Sequence, residues 1–257
     1  MARVSLHPDF VSTPLAHRGY HNAAKQRPEN SLSAFGAAVA AGYGIELDVQ
    51  LSADGQAMVF HDDTLDRMTH KTGAVLDHSA AELGAIGLQA SDDLIPTLAQ
   101  VLALVAGKVP VLIEIKAQLD TMADTSGRLE TAVALALASY RGPVAVMSFN
   151  PHCLAHMARL APRIARGLTT DDFDPVEYLP VPASMCDNLR EITEYDRTLS
   201  SFISHKAADL PRPRVAELKS QGATILCWTI RSPEAEAKAR QIAQNITFEG
   251  YAAAVGA

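Results

Sequence analysis

The 257-residue chain has few cysteines and no excess of positive charge. Its three cysteines, Cys153, Cys186 and Cys227, are widely spaced and form no C-x-x-C pair. This pattern is typical of a reduced compartment, so we expect the cysteines to pack in apolar surroundings without forming a site. The formal net charge of −7 argues against a nucleic-acid-binding surface, which normally carries clustered Lys and Arg in excess.

Long apolar runs are also missing. The first sixteen residues include Arg3, His7 and Asp9, which interrupt the apolar stretch of about 7 to 15 residues that a signal peptide needs. No apolar stretch approaches the ~18 residues that would indicate a transmembrane helix. We therefore expect a soluble, cytoplasmic protein without stable membrane association. The oligomeric state is not readable from the sequence.

The composition favours a globular fold with one large core. Hydrophobic residues make up 48% of the chain, and its length is typical of a single (β/α)8 barrel. Composition alone would also permit two smaller domains. Short apolar runs that alternate with alanine-rich helical segments are the pattern of repeated βα units, so we predict one TIM barrel domain over residues 1–257.

Eight strands and five helices can be assigned from this alternation. The strands are predicted at 14–17, 44–50, 110–115, 144–148, 165–168, 202–204, 224–229 and 245–248. The helices are predicted at 31–41, 125–139, 151–160, 213–221 and 233–244, with Asn30, Asn150 and Ser232 as N-caps.

Two segments do not fit a simple βα unit. Residues 51–96 contain a short strand candidate at 58–61 and a polar, Asp-rich stretch, which we interpret as an insertion over one end of the barrel. Residues 171–197 are irregular and acidic, and the sequence predicts no element there.

Charged residues occur at the ends of the first three predicted strands. Glu46 and Asp48 alternate on one strand, as do Glu114 and Lys116 on the next, so each pair is expected to point into the barrel. Three carboxylates in one cavity repel each other unless a cation compensates, and oxygen ligands suit Mg²⁺ or Ca²⁺. The alternative, salt bridges to Lys116 and Arg18 in a polar barrel layer, is less favoured for so large a cluster.

Two histidines flank these carboxylates in the sequence. His17 ends the first predicted strand and His61 follows the apolar run 57–60, so the two imidazoles can supply a base and an acid near neutral pH. His205, just beyond another strand, is a further candidate for ligand contact. Arg18 and Lys116 add donors that suit a phosphate, although a carboxylate would satisfy them too.

An ordered series of motifs then resembles the glycerophosphodiester phosphodiesterase family, of the bacterial, soluble type. The series runs His17-Arg18-Gly19, Pro28-Glu29-Asn30-Ser31, Gly44-Ile45-Glu46-Leu47-Asp48, His61-Asp62 with Leu65, Arg67 and Thr69, and Glu114-Ile115-Lys116. Weaker similarity at Ser148-Phe149 and Cys227-Trp228 extends the resemblance over nearly the whole barrel.

The resemblance implies an enzyme, a phosphoric diester hydrolase, and a role for each of these residues. Glu46, Asp48 and Glu114 would bind a divalent ion, His17 and His61 would be the acid–base pair, and Arg18 and Lys116 would hold the phosphoryl oxygens. The implied reaction releases sn-glycerol 3-phosphate and an alcohol through a cyclic phosphate formed by a hydroxyl of the substrate.

The substrate pocket is less well defined by the sequence. Phe149, His205 and Trp228 are candidates for its lining, with core packing as the alternative for both aromatic residues. The end of the last strand, Thr247-Phe248-Glu249-Gly250, departs from the family pattern, in which an Asp and a Pro are common. The leaving alcohol is therefore not predicted.

Three other functions are compatible with parts of this pattern. A phospholipase-type enzyme on the same barrel would need an apolar rim that faces the membrane, whereas acidic residues interleave with the apolar ones in segment 51–96. A non-catalytic phosphate binder would not need two histidines beside a metal. A barrel enzyme that abstracts a proton from a carboxylate substrate does not account for the ordered motifs.

Overall fold

The structure, a computed structural model, describes residues 2–118 and 121–255, and all statements below refer to them. Eight parallel strands close into a barrel in the order β1, β2, β4, β5, β6, β7, β8, β9, with β9 pairing back to β1. A ninth strand, β3, pairs antiparallel with the end of β2. The strands are β1 Leu15–Ala16, β2 Gly44–Leu51, β3 Ala57–Val59, β4 Val111–Ile115, β5 Val144–Ser148, β6 Ala165–Thr170, β7 Phe202–Lys206, β8 Thr224–Ile230 and β9 Asn245–Phe248.

Helices connect successive strands around the outside of the barrel. They are α1 Asp9–Ser12, α2 Leu32–Ala41, α3 Ala80–Leu83, α4 Leu98–Val105, α5 Arg128–Leu137, α6 Pro151–Leu160, α7 Ala183–Arg190, α8 Pro213–Ser220 and α9 Pro233–Ala239. Short 3-10 turns at Ala23–Lys25, Val75–Asp77, Thr193–Tyr195 and Ala207–Asp209 complete the elements. None of the described helices is long and apolar enough to cross a membrane.

The barrel prediction is confirmed, and the eight predicted strands correspond to the eight barrel strands. The predicted N-cap at Asn30 is wrong, because the Ser31 hydroxyl accepts the backbone N–H of Ala34 and caps α2 instead. Helix α4 was not predicted at all. Its start is nevertheless encoded in a capping box, in which the side chains of Thr97 and Gln100 each accept a backbone N–H of the other residue.

The insertion after β2 has an apolar core of its own. Buried side chains from β3, α3 and the loops between them form this cluster: Met58, Phe60, Leu65, Val75, Leu83, Leu88 and Ile95. Because these side chains pack on each other, the insertion is an ordered layer over the carboxyl end of β2.

The interior of the barrel is divided into an apolar and a polar layer. Phe10, from helix α1 just before β1, is fully buried and packs with inward side chains of six strands, among them Leu112 and Phe202. The amide of Asn245, at the start of β9, donates to the carbonyl oxygens of Phe10 and Thr13 at 2.8 and 2.6 Å. Helix α1 therefore closes the amino-terminal end of the barrel, which leaves the carboxyl-terminal end for chemistry.

Candidate active site

A cavity of about 160 Å³ opens at the carboxyl ends of the barrel strands. Its lining is chemically two-sided. One side, from β1, β2, β4 and the insertion, is charged, and the other, from β5 and β8, is largely apolar. The lining residues are His17, Arg18, Glu46, Asp48, His61, Glu114, Lys116, Met147, Phe149, Trp228 and Thr247.

A tight turn after β1 brings His17 and Arg18 to this cavity. Arg18 and Gly19 both have a left-handed backbone, with φ of 54° and 81°. The backbone N–H of Arg18 donates to the Glu46 carboxylate at 3.0 Å, and that of Gly19 donates to the Glu46 carbonyl at 3.2 Å. A Cβ on Gly19 would lie 2.9 Å from the Phe35 ring, so the position requires glycine both for its φ and for its close approach to α2.

Three carboxylates form a compact buried cluster. Glu46, Asp48 and Glu114 are at most 6% exposed, and one oxygen from each lies within 4.8 Å of the others. The register of β2 and β4 produces this arrangement, because Asp48 pairs directly with Glu114 and Glu46 pairs with the inward-facing Leu112. The ammonium of Lys116 lies 3.0 Å from Glu114 and 3.5 Å from Asp48.

The electrostatics of the cluster are unbalanced. Burial, with the neighbouring charges of Asp48 and Glu114, raises the pKa of Glu46 well above its ordinary value. Burial acts in the same direction on Asp48, but the positive charges of Lys116, His61 and Arg18 outweigh it and hold the Asp48 pKa at about 2. Burial acts to lower the pKa of Lys116, but the charges of Glu114 and Asp48 outweigh it and raise that pKa. The protein's own cations thus neutralise Asp48 more fully than Glu46.

The donor set fits a divalent cation. Three carboxylates offer oxygen ligands at mutual distances that one ion can span, and no thiol or imidazole joins this cluster among the described residues. Such oxygen ligands suit Mg²⁺ or Ca²⁺, and the second positive charge of the ion would stabilise the ionised form of Glu46.

A chain of ion pairs joins His61 to Arg18 around the rim. His61 Nδ1 lies 2.6 Å from Asp62, which accepts from Arg67 Nε at 2.6 Å. Arg67 also donates to Glu29 at 2.6 Å, and Glu29 accepts from Arg18 Nη1 at 2.8 Å. The two cavity residues at the ends of this chain, His61 and Arg18, are therefore linked through Asp62, Arg67 and Glu29.

His17 is held from the opposite side. Its Nδ1 lies 2.5 Å from the carboxylate of Glu249, which follows β9 and also accepts from Arg231 at 2.8 Å. The hydrogen bond from His17, together with nearby His21 and the charge of Arg231, lowers the pKa of Glu249 far below its ordinary value. Glu249 is ionised at neutral pH, although its side chain is only 19% exposed.

The structure brings together nine of the ten residues selected from the sequence. His205 is not brought to the cavity. It lies three residues after the inward-facing Phe202 on β7, so its side chain points to the opposite side of the strand, away from the barrel interior. It is fully buried there, with Nδ1 2.8 Å from the Thr170 hydroxyl and Nε2 3.2 Å from Asp209. Burial lowers its pKa against the effect of Asp209, as expected for an imidazole in the shell between barrel and helices.

Several residues of the site were not predicted to belong to it. Asn30, which was predicted to cap a helix, donates to the Asp48 carboxylate at 2.9 Å, and Glu29, which was noted only as part of a motif, bridges two arginines. Met147 lines the apolar side of the cavity. It lies two residues after Ala145 on β5 and therefore on the same inward face, which is a signal that could have identified it. Glu249 was noted only as a departure from a pattern.

Comparisons with known proteins identify a matching family and several relatives. The family model described as the glycerophosphoryl diester phosphodiesterase family matches residues 17–247. A glycerophosphodiester phosphodiesterase of Caldanaerobacter subterraneus is 35% identical over 162 residues, which are 60% of this chain and 65% of that relative. A Bacillus subtilis protein provisionally named for the same activity, YhdW, is 29% identical over 87% of this chain and 88% of its own length.

Solved structures share the fold. A phosphodiesterase of Oleispira antarctica, determined in complex with the product sn-glycerol-3-phosphate, has a TM-score of 0.74 at 23% identity and covers 92% of both chains. A glycerophosphodiester phosphodiesterase of Thermotoga maritima has a TM-score of 0.67 at 23% identity, with 92% of this chain and 94% of that chain covered.

Proposed function

The chain belongs to the glycerophosphoryl diester phosphodiesterase family, and from this premise we propose that it hydrolyses glycerophosphodiesters to sn-glycerol 3-phosphate and an alcohol with the help of a divalent metal ion. The observation that carries the proposal is one cavity that holds both a buried cluster of three carboxylates and two histidines. Acid–base histidines beside a metal site have no purpose in a protein that only binds phosphate.

Each charged residue of the cavity has a role in this proposal. Glu46, Asp48 and Glu114 hold the ion, either Mg²⁺ or Ca²⁺. When bound, the ion polarises the phosphoryl group and lowers the pKa of a hydroxyl near it. Arg18 and Lys116 receive the phosphoryl oxygens, because they are the cationic side chains that line the cavity among the described residues.

His17 and His61 transfer the protons. In the first step one histidine takes the proton of a glycerol hydroxyl of the substrate, and the oxygen of that hydroxyl attacks phosphorus. The bond from phosphorus to the alcohol breaks, and the other histidine protonates the leaving oxygen. In the second step the roles reverse, and water opens the cyclic phosphate to give glycerol 3-phosphate. The apolar residues Phe149 and Trp228 then form a wall of the substrate pocket.

The test is release of glycerol 3-phosphate from glycerophosphocholine and glycerophosphoethanolamine in the presence of EDTA, Mg²⁺ or Ca²⁺. We expect release that depends on the metal and that falls by roughly 10²- to 10⁴-fold in His17→Ala. His70→Ala, at an exposed histidine outside the cavity, is the matched control and should keep wild-type rates. A deoxy analogue of glycerophosphocholine that lacks the attacking hydroxyl should react poorly.

Three results would count against the proposal. Folded protein that binds the substrate but releases no product with any metal would indicate a phosphate binder. Release only from phospholipid vesicles would indicate a phospholipase-type enzyme. Equal rates for the deoxy analogue would leave the hydrolysis standing but exclude the cyclic phosphate.

A further inference from the structure

We infer that Glu249, which lies outside the cavity, is a positioning residue that fixes the tautomer and orientation of the cavity residue His17, as the middle member of an Arg231–Glu249–His17 triad. The inference rests on the proposed function, since it concerns how one histidine of the acid–base pair is prepared for proton transfer. It assigns a role to a residue at which this sequence departs from the motif series.

The backbone brings Glu249 and His17 together. Ala16 of β1 pairs with Phe248 of β9, and the backbone N–H of His17 donates to the carbonyl of Phe248 at 2.9 Å. The two residues that follow these strands are therefore neighbours at the carboxyl end of the barrel. The N–H of Glu249 also donates to the carbonyl oxygen of Ile230 at 2.9 Å, so both polar groups of the peptide between Phe248 and Glu249 are hydrogen-bonded.

The side-chain geometry determines which nitrogen of His17 is available. Its Nδ1 lies 2.5 Å from Glu249 Oε2, and a carboxylate can only accept, so Nδ1 carries the proton. Nε2 is then an unprotonated base when the imidazole is neutral. His17 lines the cavity and Glu249 does not, which means that Glu249 acts on substrate only through His17.

The rest of the environment keeps the carboxylate in place. Arg231 donates to Oε1 at 2.8 Å, which leaves Oε2 for His17. His21 Nε2 is more distant, at 3.6 Å from Oε2. Since Arg231 is 65% exposed, its ion pair contributes more to orientation than to stability.

An internal parallel supports this assignment. The other cavity histidine, His61, also presents Nδ1 to a carboxylate, that of Asp62, and Asp62 is in turn bound by Arg67. Both histidines thus have the same support: a carboxylate contacts Nδ1 of the imidazole, and an arginine donates to that carboxylate. One carboxylate is the next residue in the chain, whereas the other is 232 residues away. Two equally supported histidines are what an exchange of acid and base roles requires.

The experiment combines ring-nitrogen NMR with kinetics on wild type, Glu249→Gln and Glu249→Asp. The His17 resonances are identified by their loss in His17→Asn, and the tautomer is determined in buffer alkaline enough to keep an ordinary imidazole neutral. The matched control is Asp124→Asn, which alters a carboxylate 3.1 Å from His156 Nε2 on the outer surface. Kinetics use glycerophosphocholine with Mg²⁺.

We expect the wild type to carry the His17 proton on Nδ1 and Glu249→Gln to lose this preference. Its kcat should fall about 10- to 100-fold while KM changes by less than about twofold. Glu249→Asp retains a carboxylate and should recover the tautomer and at least part of kcat, and Asp124→Asn should resemble wild type.

A wild-type His17 protonated on Nε2 would overturn the inference. So would a Glu249→Gln variant that keeps its kcat, or one that loses kcat with an unchanged tautomer, since the latter indicates only structural support. If wild type releases no product, the proposed function fails, but the tautomer measurements still decide whether Glu249 sets the state of His17.

Discussion

Glu29 shows how one side chain can order two parts of the site. Its carboxylate accepts from Arg18 on one side and from Arg67 on the other, at 2.8 and 2.6 Å. Burial acts to raise the pKa of Glu29, but the two guanidinium groups outweigh it and lower the pKa below its ordinary value of 4.5. Because the folded-state pKa is the lower one, ionised Glu29 stabilises the fold above about pH 4.5.

Glu29→Gln is therefore expected to lower the free energy of unfolding at pH 7, by about 1–3 kcal/mol, mainly because the largely buried Arg18 guanidinium loses its carboxylate, with a smaller loss at the exposed Arg67. The difference from wild type should shrink as the pH falls below 4.5 and Glu29 itself becomes protonated. Urea denaturation at pH 7 and at successively lower pH measures it.

Glu191→Gln, at an exposed glutamate, is the control and should stay within about 0.5 kcal/mol of wild type. A Glu29→Gln difference that is constant with pH would mean that the charge of Glu29 does not stabilise the fold.

The charged residues of the site could be identified from the sequence because they interrupt apolar strands, where a buried charge is unfavourable unless it is paired or binds a ligand. The sequence did not identify Asn30 or Glu29 as contributors, because their partners are distant in the chain or lie across a turn. Asn30 was interpreted as a helix cap, a common role for Asn, but its left-handed backbone (φ 55°) directs the side chain to Asp48 instead. Local pattern cannot show such a contact.

At the scale of the element, strand β6 contains a close approach that depends on glycine. A Cβ at Gly167 would lie 2.4 Å from the Phe202 ring on the neighbouring strand β7. Gly36, in contrast, lies within helix α2 with no atom within 4 Å of the position of its Cβ. The two glycines differ in their surroundings, and substitution by alanine should have opposite effects.

Gly167→Ala is expected to destabilise the protein by about 1–3 kcal/mol, because the ring of Phe202 must move within a packed barrel. Gly36→Ala should stabilise it by about 0.5–1 kcal/mol, because alanine restricts the unfolded chain and favours a helix. The midpoints of urea denaturation of the two variants measure both effects. Equal shifts of the same sign would contradict this interpretation of the two positions.

Strands were predicted more accurately than helices for a physical reason. A buried parallel strand is a short apolar run, which is visible in the sequence wherever it ends at Gly, Pro or a charge. The helices α4 and α7 are short, and α7 lies in an acidic, irregular stretch in which no apolar periodicity is evident. Their stability comes from tertiary packing, which the sequence does not display: α4 packs in the main apolar cluster of the fold, and α7 packs on Phe173 and Val181 in a separate cluster.

For the whole molecule, the barrel separates stability from chemistry. The apolar layer around Phe10 fills the amino-terminal end, and the charged cavity occupies the opposite end. Buried carboxylates that repel each other cost stability, and the apolar layer offsets this cost elsewhere in the same strands.

Phe10→Ala is accordingly expected to lower the free energy of unfolding by about 3–5 kcal/mol, the usual cost of removing a buried ring. The kcat/KM of the folded protein should not change, because the cavity lies at the other end. Phe10→Leu, which keeps most of the apolar volume, should lose less stability. Stability by urea denaturation and rates well below the melting temperature separate the two quantities, and a loss of kcat/KM in folded Phe10→Ala would contradict the separation.

The two-sided lining of the cavity has an evolutionary consequence. The charged side chains of the cavity come from β1, β2, β4 and the insertion, and Glu249 after β9 contacts one of them, whereas Met147, Phe149 and Trp228 come from β5 and β8. Mutations in the second group can change the shape of the wall without moving a proton donor or a carboxylate. Under the proposed function, selection for a new leaving alcohol can therefore act on one half of the barrel while the proton-transfer and carboxylate groups of the other half stay unchanged.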